Sequence, residues 1–318
     1  MAFSKYICFS LTIAAISIAS LSGNKLVSCV KSGTFVDGGD SKEPESANDL
    51  PTITRPLVVQ NFDACLSSYI GDRNEIVLLL DYDGTLTDIV QRPEMATIPD
   101  DTKTVLQTLA GMPNVHVAII SGRGLGDLKK MVGINDLTYA GNTGLDIIFP
   151  NGDDFKFLIP APMKITFDNL KNSLEKEVCK HGAWVEDKGP TMTYHYREVP
   201  DSLRPELVER AHFLIEKAEF KAGKAHCAIE VTPPVDWDKG HAALYILNKF
   251  FPRNWMEIPT IFVGDDTNDE YAMKALQRTA VTFRVDATKT VDTLAKYRLL
   301  NPTCVLAMLK WVLRRFNT

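Results

Sequence analysis

The sequence predicts an α/β fold in which a parallel-sheet core is split by an inserted α+β unit. Three observations point there. Apolar runs at Ile76-Val77-Leu78-Leu79-Leu80, Val115 to Ile120 and Thr260-Ile261-Phe262-Val263 each stop at a polar loop, as strands covered on both faces do. Stretches with helical spacing separate them, giving the order of a parallel sheet with right-handed crossovers. Between residues 154 and 232 the pattern turns to a period of two. There Met192, Tyr194 and Tyr196 alternate with Thr191, Thr193, His195 and Arg197, which suits a strand with one wet face.

The elements follow in chain order. Met1 to Lys5 gives a basic start, Tyr6 to Leu21 is uncharged, and Ser22-Gly23 supplies small residues. Residues 1–23 are thus expected to be a cleaved signal peptide, with an uncleaved anchor or a chance apolar run as alternatives. The stretch is short for a bilayer crossing of about 20 residues. If the signal is used the protein is secreted or in the secretory pathway; otherwise it is cytoplasmic. Residues 24–73 are expected to be a flexible leader, since Val30 to Pro56 is rich in Ser, Gly, Asp, Glu and Pro without an apolar period.

Residues 74–153 open the core. Asp100 is placed to cap a helix whose Val105, Leu106 and Leu109 recur at helical spacing, and Gly111 and Pro113 stop it. The second strand ends at Ser121-Gly122-Arg123, and a short helix passes through Leu128 and Met131. In the insertion, residues 154–232, Leu170, Leu174 and Val178 mark one amphipathic helix, and Leu207, Ala211, Leu214 and Ala218 another. Residues 233–318 return to the core with a helix over Lys239 to Phe250 and the strand that runs into Gly264-Asp265-Asp266. Thr267 and Glu270 then have capping-box spacing. A strand over Thr279 to Val285 and a helix over Val305 to Phe316 close the chain. The outcome is a Rossmann-like parallel-sheet core with an inserted α+β cap domain.

Composition sets outer limits. The chain has 318 residues, enough for two domains. At 45% hydrophobic and 24% charged, it is not mainly disordered, collagen-like or polytopic. With 40 acids against 35 bases it lacks the basic surface of a nucleic-acid binder. Six scattered cysteines without a C-x-x-C pair suggest neither a zinc site nor a disulfide framework, but buried thiols.

In an open parallel sheet the loops leaving the carboxyl ends of the strands gather at one edge, where ligands bind. Here they would crowd the carboxylates of Asp81, Asp83, Asp265, Asp266 and Asp269. Like charges about 4 Å apart repel by roughly 4 kcal/mol at an effective dielectric near 20, so the cluster calls for a cation. All-oxygen ligands select a hard one, and Mg2+ fits best because it binds few carboxylates and leaves room for water and phosphate.

The order Asp81-Tyr82-Asp83-Gly84-Thr85, Ser121-Gly122-Arg123, Asp238-Lys239-Gly240 and Gly264-Asp265-Asp266 with Asp269 resembles the four motifs of the haloacid dehalogenase superfamily. More narrowly, Gly189 to Pro200, Ile229 to Pro234 with Trp237 to Gly240, and Val263 to Glu270 resemble trehalose-6-phosphate phosphatases. The resemblance covers residues 74 to 300. It implies a Mg2+-dependent monoester hydrolase acting through an aspartyl phosphate on trehalose 6-phosphate. Asp81 would be the nucleophile, and Asp83 the acid and then the base. Ser121 would hydrogen-bond a phosphate oxygen at the start of a helix, and Lys239 would neutralise transferring charge.

The resemblance also assigns the metal to the Asp81 and Asp265 carboxylates and the Asp83 carbonyl, with Asp269 or Asp266 ordering its waters. Glu186, Lys188 and Glu230 would read sugar hydroxyls; exposed strand charges are the alternative. Arg123 is a substrate-binding candidate, against an ion-paired surface arginine. The sequence departs from the family pattern at Thr143, where histidine is common, and at His226-Cys227, where a lysine is common. A related sugar phosphatase or phosphohexomutase, or an inactive sugar-binding protein, are the competing expectations. The expected partner is the small-molecule substrate alone, with the chain a monomer and no membrane span once the signal is cleaved.

Overall fold

Among the described residues, twelve strands form two sheets, one mixed and one antiparallel. The large sheet takes β1 (Ile76–Leu80), β2 (Val115–Ile120), β3 (Thr138–Gly141), β4 (Asp146–Ile148) and β5 (Asp154–Lys156). The insertion supplies β6 (Trp184–Asp187), β7 (Met192–His195), β8 (Lys221–Ala225) and β9 (Ala228–Thr232), and β10 (Thr260–Gly264), β11 (Val281–Val285) and β12 (Tyr297–Leu299) complete the large sheet. Its order is β12-β11-β10-β1-β2-β3-β4-β5, parallel from β12 to β3 and antiparallel at β4 and β5. The computed structural model describes Ile53 and residues 55–90, 92–225, 227–288 and 290–317. The expected signal peptide and the leader as far as Thr52 lie outside the described residues, as does His226.

The end of the expected leader is part of the core. Phe62, Leu66 and Ile70, spaced four apart, are buried along a helical segment that runs through Asp63–Ser67 into the single turn α1 (Ser68–Ile70). Tyr69 Oη donates to the carbonyls of Thr260 (3.2 Å) and Thr279 (2.9 Å), and Trp311 Nε1 donates to Asp63 (2.8 Å). Each large apolar side chain buried in this way contributes about 1.5–3 kcal/mol. That short stripe, hidden behind polar sequence, is why residues 58–70 pack rather than trail.

β1 sends alternate side chains to opposite faces, where helices cover both. Ile76, Leu78 and Leu80 share one cluster with Val105, Leu106 and Leu109 of α2 (Asp100–Ala110) and with Leu128 and Val132 of α3 (Leu125–Val132). Asp100 is the first helical residue of α2 and makes no side-chain cap bond.

The insertion begins later than expected, because residues 154–156 pair with β4 as an edge strand of the large sheet. It contains α4 (Ala161–Glu177), α5 (Arg204–Lys217) and an antiparallel sheet of order β6-β7-β9-β8. Leu170 and Leu174 of α4 and Leu207, Ala211 and Leu214 of α5 pack on Met192, Tyr194, Ile229 and Val231, so the helices take one sheet face.

On the second face of the large sheet, Val77 and Leu79 meet Ala242, Ala243, Ile246 and Leu247 of α6 (Lys239–Phe250) and Ala272, Met273 and Leu276 of α7 (Asp269–Leu276). The first face is completed by Val305, Met308, Leu309 and Val312 of α8 (Pro302–Phe316).

The expected capping box at the start of α7 does not form. Asn268 precedes the helix, and the Glu270 carboxylate instead accepts from Thr293 Oγ1 (2.6 Å), Leu294 N (2.8 Å) and Arg284 (3.2 Å). Among the described residues, no helix is long and apolar enough to cross a membrane. Cys65, Cys179, Cys227 and Cys304 are free, partly buried thiols.

Candidate active site

β1 lies between β10 and β2, and the three are parallel. Their carboxyl ends therefore open on one edge. Asp81 follows β1, Ser121 follows β2 and Asp265 follows β10. Asp81 N donates to the Val263 carbonyl (2.9 Å), which fixes the first loop against the third. Gly84, at φ +74°, lets the two loops approach: a Cβ there would lie 2.1 Å from Asp265 Oδ2.

Lys239 is the first residue of α6, capped by Asp238, whose carboxylate accepts from His241 N at 3.0 Å. Its ammonium is buried between Asp81 (2.6 Å) and Asp269 (2.8 Å). Burial works to lower the Lys239 pKa, but these two carboxylates outweigh it and hold the group above the ordinary lysine range. Oxygens of Asp81, Asp265 and Asp269 lie within 4.8 Å of one another. One ammonium does not balance three buried acids. Burial first, then the neighbouring carboxylates, push Asp81 up to about 7 and Asp265 up to about 9.

This donor set fits a divalent cation. All its atoms are carboxylate oxygens, and the charge left unbalanced is negative. Asp269 has a further part: Oδ1 accepts from Lys239, and Oδ2 accepts from the backbone of Asp265 and Asp266 at 3.0 Å each. It braces the lysine and the loop. Asp266 borders the same cleft, and its Oδ1 accepts from Thr267 N at 2.6 Å.

Asp83 stands outside the acid cluster. Its carboxylate is gripped by Arg123, with Nε to Oδ2 and Nη2 to Oδ1 both at 2.8 Å. Arg123 also reaches Asp127 (2.8 Å) and the Pro93 carbonyl (2.6 Å), and its guanidinium lies 5.1 Å from the centre of the Tyr82 ring. Burial lowers its pKa, and the hydrogen bonds and charges of Asp83 and Asp127 more than reverse this. Arg123 is thus ion-paired, but buried rather than at the surface, and it holds Asp83 while bordering the cleft. For the metal, Asp83 has only its backbone carbonyl left to offer. Ser121 is buried, with Oγ accepting from Arg123 N (3.2 Å); α3 starts four residues later, so Ser121 does not open the helix itself.

The free face of the inserted sheet forms the opposite wall of a cleft of about 1000 Å³, bordered by Asp81, Asp83, Glu186, Lys188 and Glu230. Glu186 Oε2 lies 2.9 Å from His195 Nε2. Lys188 Nζ donates to the Gly122 carbonyl (2.9 Å), and a Cβ on Gly122 would lie 2.8 Å from Glu230 Oε1. Lys188 and Glu230 therefore meet the loop beside Ser121, while Glu186 is held by His195 on the same cleft wall.

Asn142 is a site-shaping residue that sequence patterns did not single out. Its Nδ2 donates to the Lys188 carbonyl (3.3 Å), its Oδ1 accepts from Thr191 (2.8 Å), and its N donates to the Arg123 carbonyl (2.7 Å). The only signal for it was its place in the Gly141-Asn142-Thr143-Gly144 run, where Thr143 replaces the family's histidine. A second core-to-cap link pairs Arg92 with Glu198 at 2.6 Å.

Similarity to known proteins agrees with this geometry. A sequence model described as trehalose-phosphatase matches residues 79–303. Trehalose-phosphate phosphatase B of Arabidopsis thaliana is 30% identical over 261 residues, covering 79% of this chain and 69% of that protein. Among solved structures, the C-terminal domain of a Candida albicans trehalose-6-phosphate phosphatase has a TM-score of 0.69 at 21% identity, covering 82% of this chain and 98% of that one. A haloacid dehalogenase-like hydrolase from Bacteroides thetaiotaomicron has a TM-score of 0.54 at 13% identity, covering 75% and 99%. These two carry the fold. The family match spans more than half of the chain and includes every strand-end motif, so the chain belongs to the trehalose-phosphatase family and is a phosphatase.

Proposed function

We propose that this chain hydrolyses trehalose 6-phosphate to trehalose and phosphate through an aspartyl phosphate on Asp81, with Mg2+ as its cofactor. The observation that carries the reading is the buried Lys239–Asp81 pair beside Asp265, facing a cap wall of Glu186, Lys188 and Glu230. Asp81 and Asp265, with the Asp83 carbonyl, would hold the ion. When bound there it neutralises phosphate charge and polarises the ester toward attack.

A carboxylate oxygen of Asp81 attacks phosphorus, and the bond to the sugar oxygen breaks as Asp83 gives that oxygen a proton. Water then attacks the acyl phosphate, Asp83 takes the water's proton, and phosphate leaves. Lys239 favours the ionised form of Asp81 against burial and holds it in place by charge and hydrogen bond. Ser121 Oγ donates to a phosphate oxygen. Glu186, Lys188 and Glu230 pair with sugar hydroxyls, so an ester lacking them leaves these groups unpaired.

The test is phosphate release by the purified protein with Mg2+ from trehalose 6-phosphate, sucrose 6-phosphate and mannose 6-phosphate. Strong preference for the first supports the reading; equal release from all three rejects it. Phosphoryl transfer to sugar without free phosphate would instead indicate a mutase.

A further inference from the structure

Trp184, the first residue of β6, keeps 39% of its surface exposed although it is large and apolar, and it borders the charged cleft. Its ring is not loose. It stacks on the His195 imidazole with centroids 4.1 Å apart and planes 18° from parallel, and His195 in turn contacts Glu186 at 2.9 Å. Strand register explains the grouping: Trp184 is opposite His195, and Glu186 is opposite Thr193. Along β6 and the residue that follows it, Trp184, Glu186 and Lys188 alternate onto one face, and all three border the cleft.

Position along this row separates the ends of the site. Lys188 holds the Gly122 carbonyl, next to Ser121 at the phosphate end. At about 3.3 Å per residue, Trp184 stands roughly 13 Å farther along the strand. A ring bearing the phosphate ends well short of it; a second ring joined to the first extends toward it. A pyranose has a hydroxyl rim and an apolar C–H face. The face of an indole is the negative end of its quadrupole and attracts weakly positive C–H groups, while the Glu186 carboxylate beside it accepts from hydroxyls. An aromatic surface joined to a few placed polar groups is the usual make-up of a small-molecule subsite.

We propose that Trp184, held flat by His195, is the platform for the sugar ring remote from the phosphate, and thereby selects a disaccharide phosphate over a monosaccharide phosphate. This rests on the substrate reading given above. The test compares kcat/KM for trehalose 6-phosphate with that for glucose 6-phosphate in wild type, Trp184→Ala, Trp184→Phe and Trp184→Leu. Trp184→Ala is expected to lower the ratio about 10-fold, through KM for the disaccharide. Trp184→Phe should restore most of the ratio because it keeps a planar ring, and Trp184→Leu should not. A wild type without preference for the disaccharide phosphate overturns the substrate reading and the platform together. A preference that survives Trp184→Ala, or that Trp184→Leu restores as well as Trp184→Phe, overturns the platform alone.

Discussion

Arg123 meets the Asp83 carboxylate with two parallel hydrogen bonds of 2.8 Å, so the orientation of the expected acid–base group is set by a residue 40 positions away. The fork geometry is specific to arginine, since lysine offers a point charge without a plane. Asp83 side-chain atoms are about two-fifths exposed while Arg123 is buried, so the pair fixes a cleft-facing acid from behind. General acid–base groups contribute about 10²–10⁴ in rate, and a misplacement of about 1 Å costs on the order of 100-fold. Arg123→Lys is therefore expected to lower kcat by about 10- to 100-fold with little change in KM. Steady-state kinetics decide it: a rise in KM at constant kcat would make Arg123 a substrate ligand instead.

Much of this site was legible because its chemistry sits at strand ends, where local spacing is a reliable guide. Asp81, Asp83 and Asp265 each follow an apolar run, and Lys239 opens a helix with an acidic cap. What escaped were choices made only when distant segments meet. Asp269 belongs to the acid set that could hold a metal, but its second task, bracing Lys239 and two backbone N–H groups, shows only once the segments meet. The Trp184–His195 stack depends on the register of β6 against β7, which no sequence period reveals. The Phe62, Leu66 and Ile70 stripe was too short to stand out from the polar residues before it.

Crowding of acids predicts an unusual response to losing one. Asp81→Asn removes one of three acids whose oxygens lie within 4.8 Å, where any two that are both ionised repel by about 3–4 kcal/mol at an effective dielectric near 20. Lys239 retains Asp269. In a chelator, this variant is expected to unfold in denaturant at a midpoint equal to or above that of wild type, while its turnover is abolished. Divalent ion should stabilise wild type far more than the variant. A variant clearly less stable than wild type in chelator would mean that attraction to Lys239 dominates the cluster.

At the start of α7, capping-box spacing and the observed bonds make opposite forecasts. A capping box would make Thr267 important, its loss costing about 1 kcal/mol. In the structure Thr267 is exposed, and Glu270 holds Thr293, Leu294 and Arg284. Thr267→Ala is expected to change stability by less than about 0.5 kcal/mol. Glu270→Ala leaves several inward donors unpaired and should cost about 2–3 kcal/mol. Chemical denaturation of the two variants separates the forecasts, and equal losses would revive the capping box.

Glu186 gives the cap wall a dependence on acidity. Burial tends to raise its pKa, but the hydrogen bond to His195 and the charges of Lys188, His195 and Arg123 outweigh burial and hold the carboxyl below its usual range. A carboxyl whose folded pKa is depressed stabilises the fold above its unfolded pKa of about 4.3, and this stabilisation disappears as pH falls through the folded value. With a quarter of the side chain exposed, solvent screening limits the effect to about 1 kcal/mol. Wild type should therefore melt above Glu186→Gln at pH 6–7, and the gap should close progressively as pH is lowered below about 4. Thermal unfolding of both proteins between pH 7 and pH 3 measures this gap. A separation that stays constant down to pH 3 would show that the Glu186–His195 contact stabilises through shape and packing, not through the carboxylate charge.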